Sequence, residues 1–474
     1  MRHSPLLTDL YELTMLAGYV AEGMETTPAV FDLFFRTLPF NGGYAVFAGL
    51  ETALDYLENL SFSPDDLAYL EQLDIFTPAF IAFLASFRFR GTVTAPPEGT
   101  VVFPNEPLLT VEGTLAEAQF VETALLNIIN FQTLVATKAA RINHAAAGAT
   151  VIEFGLRRAQ GPDGGLSAAR GAYVGGVRST SNVLAGKVFG IPVRGTHAHS
   201  WIMAFDDELT AFRSYAEVFP DSCTLLVDTY DTLKSGIPNA ITVAQELRAR
   251  GHELQGIRID SGDLAYLSRE ARRVFDAAGF SEVKIVASNE LDELIIDSMR
   301  EEGGRVDIYG VGTKLAVCYG EGGGALGGVY KLVRLGDRPK LKVTNDIAKA
   351  TLPDRKQLLR VIAPDGSFLQ DILTLDGEVP RSGDTVFDPT NPLHYVAIPD
   401  NARCVDLRTV VMRGGERTSP GSPPLDELAD RCADQLTKLP RGCLRFINPH
   451  RYKVSMSRGL HDLRTRLTEE LLTR

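Results

Sequence analysis

The sequence predicts an α/β chain: an irregular, TIM-like α/β barrel packed on a smaller β-rich α+β domain, with a helical C-terminal tail. Three observations predict it. Apolar runs closed by polar residues recur through the middle of the chain, helical stretches lie between several of them, and the flanks alternate β-branched residues with Pro and Gly.

The runs are residues 150–158 (TVIEFGLRR), 193–200 (VRGTHAHS), 223–231 (CTLLVDTYD), 254–263 (LQGIRIDSGD), 283–290 (VKIVASNE) and 306–313 (VDIYGVGT), each read as a buried strand. Helical stretches at 239–251, 268–279 and 290–303 separate them, and repeated strand-then-helix order means parallel pairing. Each run starts apolar and ends polar. The C-terminal ends of barrel strands share one mouth, so Arg157, His199, Asp228, Arg258, Asp260, Ser288 and Thr313 are expected to converge on one pocket. An open doubly wound sheet also uses its strand ends, but it usually carries a Gly-rich dinucleotide fingerprint, and no G-x-G-x-x-G follows a strand here.

Residues 90–115 and 327–375 read as short antiparallel strands of one β-rich domain that the chain leaves and re-enters, and 116–147 is a long connecting helical stretch. GGERTSPGSPP, from Gly414, is a linker before a mostly helical tail that starts at Leu425. The expected domains are 1–130 with 327–400, 131–326, and a linker and helical tail over 401–474.

Charge and cysteine usage exclude several classes. The 474 residues carry 48 Lys+Arg against 60 Asp+Glu, a formal net charge of -12, the wrong sign for a protein whose main partner is nucleic acid. Five cysteines at 223, 318, 404, 432 and 443 contain no Cys-x-x-Cys pair, so neither a disulfide framework nor a zinc ribbon fits. The first apolar stretch is interrupted by Asp9, Glu12 and Glu22, and no run approaches about 18 apolar residues. A cytoplasmic protein without a membrane partner is expected.

The averages hide one uneven segment. Residues 151–200 hold six basic side chains (Arg157, Arg158, Arg170, Arg178, Lys187, Arg194) against Glu153 and Asp163, together with ten of the 43 glycines. Glycine lets backbone N–H groups approach a ligand and arginine grips phosphate or carboxylate bidentately, so this stretch points to a small anionic ligand.

Three motifs carry chemistry, and each keeps an alternative. In GTHAHS (195–200) the two histidines would share one face of a strand, as a metal pair does, with Asp228 and Asp260 as further ligands. Equally, one histidine is a phosphoryl-accepting nucleophile with the other in support, or both are structural. RIDSGD (258–263) can clamp a phosphate or diphosphate and hold Mg²⁺ through a carboxylate, while Ser261 and Asp263 are good helix caps. Gly310, Gly312 and Thr313 in GVGT resemble the phosphate grip of late barrel strands. Tyr11 and Phe154 sit in stretches where an aromatic is ordinarily core.

Taken together, LLTDLYELTM (6–15), FDLFFRTLPFNGGYAVFAGL (31–50), EFGLRRAQGPDGGLSAARGAYVGG (153–176), STSNVLAG (179–186), GTHAHS (195–200), GIRIDSGDL (256–264) and GVGTKL (310–315) resemble the nicotinate phosphoribosyltransferase family, a type II phosphoribosyltransferase family. The resemblance implies synthesis of nicotinate mononucleotide and diphosphate from nicotinate and 5-phosphoribosyl 1-diphosphate in NAD salvage. It also implies ATP as co-substrate, Mg²⁺, and autophosphorylation of His199. Phe154 and Tyr11, the latter from the neighbouring subunit of a homodimer, would stack on nicotinate. Arg258, Thr196 and Ser181 would meet its carboxylate, with Ser181 favouring the acid where nicotinamide-using relatives have an Asp. Arg157, Arg158, Ser288, Gly310, Gly312 and Thr313 would line the phosphoribosyl diphosphate and ATP sites, with Asp260 and Arg258 catalytic and Asp228 and Asp260 near the metal. One departure falls in KATLPDRK (349–356), where Asp354 replaces a glycine common in the family. Two alternatives stand beside this one: a quinolinate-type phosphoribosyltransferase, and a metal-dependent barrel hydrolase using the His-x-His pair. A non-enzymatic anion-binding protein is disfavoured by the clustering of nucleophile, carboxylates and arginines.

Overall fold

The computed structural model describes residues 4–342, 351–391, 393–419 and 421–473. The chain has a mixed α/β fold and divides into two compact units, Met1–Leu134 with Glu321–Arg474, and Val135–Gly320.

In the second unit five parallel strands form one sheet. In chain order they are β1 (Thr150–Glu153), β2 (Thr224–Leu226), β3 (Gly256–Ile259), β4 (Lys284–Ser288) and β5 (Ile308–Val311), and they lie side by side as β1, β5, β4, β3, β2. Their apolar residues are buried, with Leu225, Ile257, Ile259 and Ile285 joining Val243 and Phe275 of the intervening helices in one core cluster. Those helices, Ile237–Ala249, Leu264–Ala277 and Glu293–Glu301, fall where the sequence placed them. The last two start at aspartate caps, Asp263 and Asp292, whose carboxylates accept from the third N–H of each helix.

The sixth expected strand, 193–200, is not a strand. Only Val193 bridges, to Thr180, which in turn bridges to Glu153 at the end of β1, and a short helix begins at His199 (His199–Met203). The physical reason lies in composition. After Val193 the segment has no apolar residue large enough to bury, and its polar side chains take hydrogen bonds instead of the backbone. His197 Nε2 accepts the N–H of Leu226, an edge position on β2, at 3.3 Å.

The first unit is β-rich and mostly antiparallel. In a seven-stranded sheet Pro28–Phe35 lies between Gly328–Leu335 and the central strand Leu109–Thr114, and a six-stranded sheet is built on the pair Lys356–Ile362 and Phe368–Leu375. The long connecting stretch is two helices, Leu115–Phe120 and Glu122–Ala146. The stretch from 401, expected as linker and helical tail, is only partly helical. Arg403–Asp406 and Thr409–Arg413 add strands to the two sheets, and Val454–Met456 runs parallel to Phe368–Leu375. Its helix Leu425–Lys438 approaches so closely that a Cβ on Gly99 would lie 2.2 Å from the Leu428 carbonyl oxygen.

Asp354 has φ 65°, a left-handed backbone that favours glycine, and its side chain offsets the strain by accepting from Arg334 Nη1 and the Arg355 N–H, both at 2.8 Å. Lys349 and Ala350 of that motif lie outside the described residues. Among the described residues no helix is long and apolar enough to cross a membrane.

Candidate active site

The ends of β1, β2, β3 and β4 and the segment 194–199 supply the site, all within the second unit. A chain of acceptors and donors crosses them. His199 Nε2 lies 3.3 Å from Asp228 Oδ1, with the Asp228 side chain 1% exposed and the His199 ring 38% exposed. Asp228 Oδ2 accepts the Asp260 N–H at 2.8 Å and the Ser261 hydroxyl at 2.6 Å. Asp260 Oδ1 in turn accepts the hydroxyl of buried Ser288. Three strand ends are thereby locked, and each carboxylate keeps one defined orientation.

Arg258 sits one strand residue before Ile259 on β3, half-buried. Its Nη1 donates to Thr196 Oγ1 at 2.6 Å, and its Nε is buried without a hydrogen-bond partner. Burial lowers the guanidinium pKa, with Asp260 and Asp228 opposing the shift and Arg157 adding to it. A half-buried arginine whose buried Nε is unanswered is suited to a planar anion such as a carboxylate.

Phe154 follows β1 and is half-buried. Its ring lies across Gly310 of β5, where a Cβ would fall 2.5 Å from ring atom Cε2. Gly312 is similarly close to the Phe154 carbonyl oxygen, at 3.0 Å from the position of a Cβ. Gly310 therefore makes room for the aromatic ring and Gly312 for the Phe154 backbone, a purpose that a phosphate-grip reading of GVGT does not anticipate. The turn is held by Glu153, a residue sequence reasoning passed over. Its buried carboxylate, whose pKa burial pushes up, accepts from the Gly155 N–H and the Thr180 hydroxyl, and its carbonyl accepts the Ser181 N–H at 2.9 Å. Its signal in the sequence is an acid closing an apolar run.

His197 is occupied on both ring nitrogens. Nε2 accepts from Leu226, which leaves Nδ1 to face the Ala198 carbonyl at 3.4 Å as donor, and the ring meets Tyr215 edge-on at 4.6 Å. Burial lowers its pKa to about 4. The pair therefore does not share a strand face as a metal site requires.

Arg157 and Arg158 are exposed on the single turn Leu156–Arg158. Thr313 opens the short helix Thr313–Ala316, and its hydroxyl is 3.2 Å from Glu290 Oε1. Asn289 and Glu290, directly after Ser288, both have positive φ (95° and 47°), a local strain at a strand end that no pattern in the sequence announces. Lys314 is anchored to Asp292 at 2.9 Å. Tyr11 belongs to the first unit, on the helix Leu10–Ala21, and is 44% exposed.

No group of three or more His, Cys, Asp or Glu among the described residues has the arrangement of a metal cage. Both Asp228 oxygens are engaged, one by His199 and one by Asp260 and Ser261, whereas Asp260 has one oxygen bonded to Ser288. That donor set fits a Mg²⁺ held by one carboxylate and carried mainly by substrate phosphates and water.

The chain has relatives along nearly its whole length. It aligns with the nicotinate phosphoribosyltransferase of Bacillus subtilis (strain 168) at 42% identity over 481 residues, covering 98% of this chain and 97% of that one. It also matches the nicotinate phosphoribosyltransferase (NAPRTase) N-terminal domain over residues 6–130, the NAPRTase family over 149–354 and the C-terminal domain over 355–464. The chain belongs to the nicotinate phosphoribosyltransferase family. A solved nicotinate phosphoribosyltransferase, the human nicotinic acid enzyme, superposes with TM-score 0.86 at 34% identity, over 97% of this chain and 99% of that one. The nicotinate-nucleotide pyrophosphorylase of Pyrococcus furiosus shares the fold at TM-score 0.71 with 24% identity. Family membership across all three nicotinate phosphoribosyltransferase segments sets aside the barrel-hydrolase alternative.

Proposed function

We propose that the chain joins nicotinate to 5-phosphoribosyl 1-diphosphate in NAD salvage, giving nicotinate mononucleotide and diphosphate, and couples this to ATP hydrolysis through a phosphohistidine at His199. The observation that carries the coupling is the contact between His199 Nε2 and the buried Asp228 carboxylate. With Nε2–H donating to Asp228, the lone pair is on Nδ1. That nitrogen attacks the γ-phosphorus of ATP, the bond to the ADP oxygen breaks, and Asp228 balances the charge that the phosphorylated ring carries. Water later cleaves the P–N bond, releasing phosphate.

In the transfer step the pyridine nitrogen of nicotinate bonds to C1′ as the C1′–O bond to diphosphate breaks, through an oxocarbenium-like state. Phe154 offers a face for the pyridine ring, and Tyr11 of the partner subunit in a homodimer covers the other. Arg258 and Thr196 meet the carboxylate, with Ser181 beside them. Arg157 and Arg158 meet the departing diphosphate, and Ser288, Gly310, Gly312 and Thr313 border the phosphate side. Mg²⁺ on the diphosphate, held by Asp260, would neutralise charge on the leaving group.

The direct test offers nicotinate, nicotinamide and quinolinate separately with 5-phosphoribosyl 1-diphosphate, with and without ATP. Mononucleotide is expected from nicotinate, faster with ATP. Turnover of quinolinate in preference to nicotinate would overturn the substrate assignment.

A further inference from the structure

Glu153 ends β1 as the strand's only charged residue, and its side chain is buried. An acid at the end of a buried strand costs desolvation energy that an apolar residue would not, unless its oxygens are answered. Both oxygens are answered here: Oε1 accepts the Gly155 N–H and Oε2 accepts the Thr180 hydroxyl. Those two donors flank the residues proposed to hold nicotinate, since Gly155 follows Phe154 and Thr180 precedes Ser181.

The backbone joins the same two segments independently. Glu153 donates its N–H to the Ser179 carbonyl at 3.0 Å and its carbonyl accepts the Ser181 N–H at 2.9 Å, which aligns β1 with residues 179–181. The direction in which Phe154 leaves the strand is set one residue later, where the Glu153 carboxylate holds the Gly155 N–H. A Cβ on Gly155 would fall 2.7 Å from Glu153 Oε1, so glycine is what lets the carboxylate close this turn. On the other side Thr180 Oγ1 accepts the Asn182 N–H at 2.9 Å, and Asn182 caps the helix Val183–Phe189 through the Ala185 N–H at 3.1 Å. The Thr180 hydroxyl thus accepts from Asn182 and donates to Glu153, and a shift of the segment bearing Ser181 breaks one of these bonds.

We propose that Glu153 is a positioning residue for nicotinate, its carboxylate fixing the Phe154 ring and the Ser181 hydroxyl relative to each other so that the substrate's ring and carboxylate fit between them. Glu153 acts through these neighbours and touches no substrate atom. The inference rests on the placement of nicotinate beside Phe154 and Ser181 proposed above. A carboxylate suits the task because both its oxygens accept. Glutamine would still answer Gly155, but it would turn an amide donor toward a hydroxyl that already accepts from Asn182.

The test is steady-state kinetics of the full-length protein and of Thr180→Val, Thr180→Ser and Glu153→Gln, with nicotinate and 5-phosphoribosyl 1-diphosphate varied in turn. Thr180→Val deletes the donor and keeps the shape, and should raise KM for nicotinate about tenfold or more, the size of a lost hydrogen bond to a charged group. KM for 5-phosphoribosyl 1-diphosphate and kcat should stay within about twofold, a split that general loosening of the fold would not produce. Glu153→Gln should move the same constant in the same direction, and Thr180→Ser, which keeps the hydroxyl, should behave like the parent. Three results would overturn the proposal: nicotinate KM unchanged in both Thr180→Val and Glu153→Gln, KM for both substrates rising together, or Thr180→Ser as impaired as Thr180→Val. A parent that makes no mononucleotide from nicotinate would instead remove the substrate reading on which the proposal rests, before any variant is measured. Thermal midpoints are recorded alongside, and if Thr180→Val does not fold, Glu153→Gln and Thr180→Ser carry the comparison.

Discussion

His199 Nε2 lies 3.3 Å from Asp228 Oδ1, and the other oxygen of that carboxylate is fixed by the Asp260 N–H and the Ser261 hydroxyl. The aspartate thus cannot turn away from the imidazole without giving up two further hydrogen bonds. A histidine held in this way has one nitrogen committed and one open, and the partly exposed ring is accessible to a ligand from the open side.

Replacing Asp228 with asparagine should therefore uncouple rather than abolish the reaction. Asp228→Asn keeps the shape but removes the charge that stabilises a phosphorylated ring. Phosphohistidine formation should slow by roughly 10²-fold, a typical contribution for such a group, while ATP-independent mononucleotide synthesis changes far less. Rapid-quench measurement of label incorporation beside steady-state turnover reads both. Equal loss in the two would show that Asp228 acts on transfer itself.

Arg258 predicts a substrate-binding defect. Arg258→Lys retains a cation but not the planar fork, and the Thr196 contact at 2.6 Å would be lost with it. The expected change is a fall in kcat/KM for nicotinate of about 10- to 100-fold, from a charged hydrogen-bond contribution of roughly 1.5–3 kcal/mol. Most of it should appear in KM.

Gly310→Ala tests the aromatic platform. The added Cβ would stand 2.5 Å from the Phe154 ring, so the ring must move. Overpacking of this kind costs about 1–3 kcal/mol of stability, and KM for nicotinate should rise in parallel. Phe154→Leu in the Gly310→Ala background should recover part of the stability but not the KM.

His197 should make the protein acid-sensitive. Its folded pKa is depressed to about 4 from an ordinary 6.5, so the stability it contributes is present above about pH 6.5 and declines as pH falls toward 4, where the unfolded chain takes up a proton that the folded chain refuses. The loss is bounded at roughly 3 kcal/mol. Thermal midpoints of the parent and His197→Gln at pH 7.5 and pH 5 should converge at the lower pH. A constant gap between them would contradict this role for His197.

The sequence displayed β1 to β5 because each is a short apolar run closed by a polar residue, a pattern set by burial alone. It misplaced 193–200 because alternation there imitates a strand, while the tertiary role of the segment is to answer the Leu226 N–H through a side chain. Arg258, Thr196, Asp228, Asp260, Ser288 and His199 are all legible in the sequence, from the ends of the apolar runs and the family motifs, and the structure joins them in two hydrogen-bonded groups, Arg258 with Thr196 and His199 with Asp228, Asp260 and Ser288. Glu153 and the Asn289–Glu290 turn were missed, since burial of an acid and positive φ in non-glycine residues depend on packing that no single sequence displays. The strands after residue 401 were missed for a related reason: Arg403–Asp406 is short and largely exposed, and only its partner Lys356–Ile362 gives it regular structure.

The central claim is that His199 carries phosphate, and one measurement addresses it most directly. The protein is incubated with γ-labelled ATP, quenched in alkali, and assayed for acid-labile, base-stable label in the parent and in His199→Ala. The account predicts label in the parent, on Nδ1, and none in the variant. Label that persists in His199→Ala, or a parent that never becomes labelled while nicotinate turnover still depends on ATP, would contradict it.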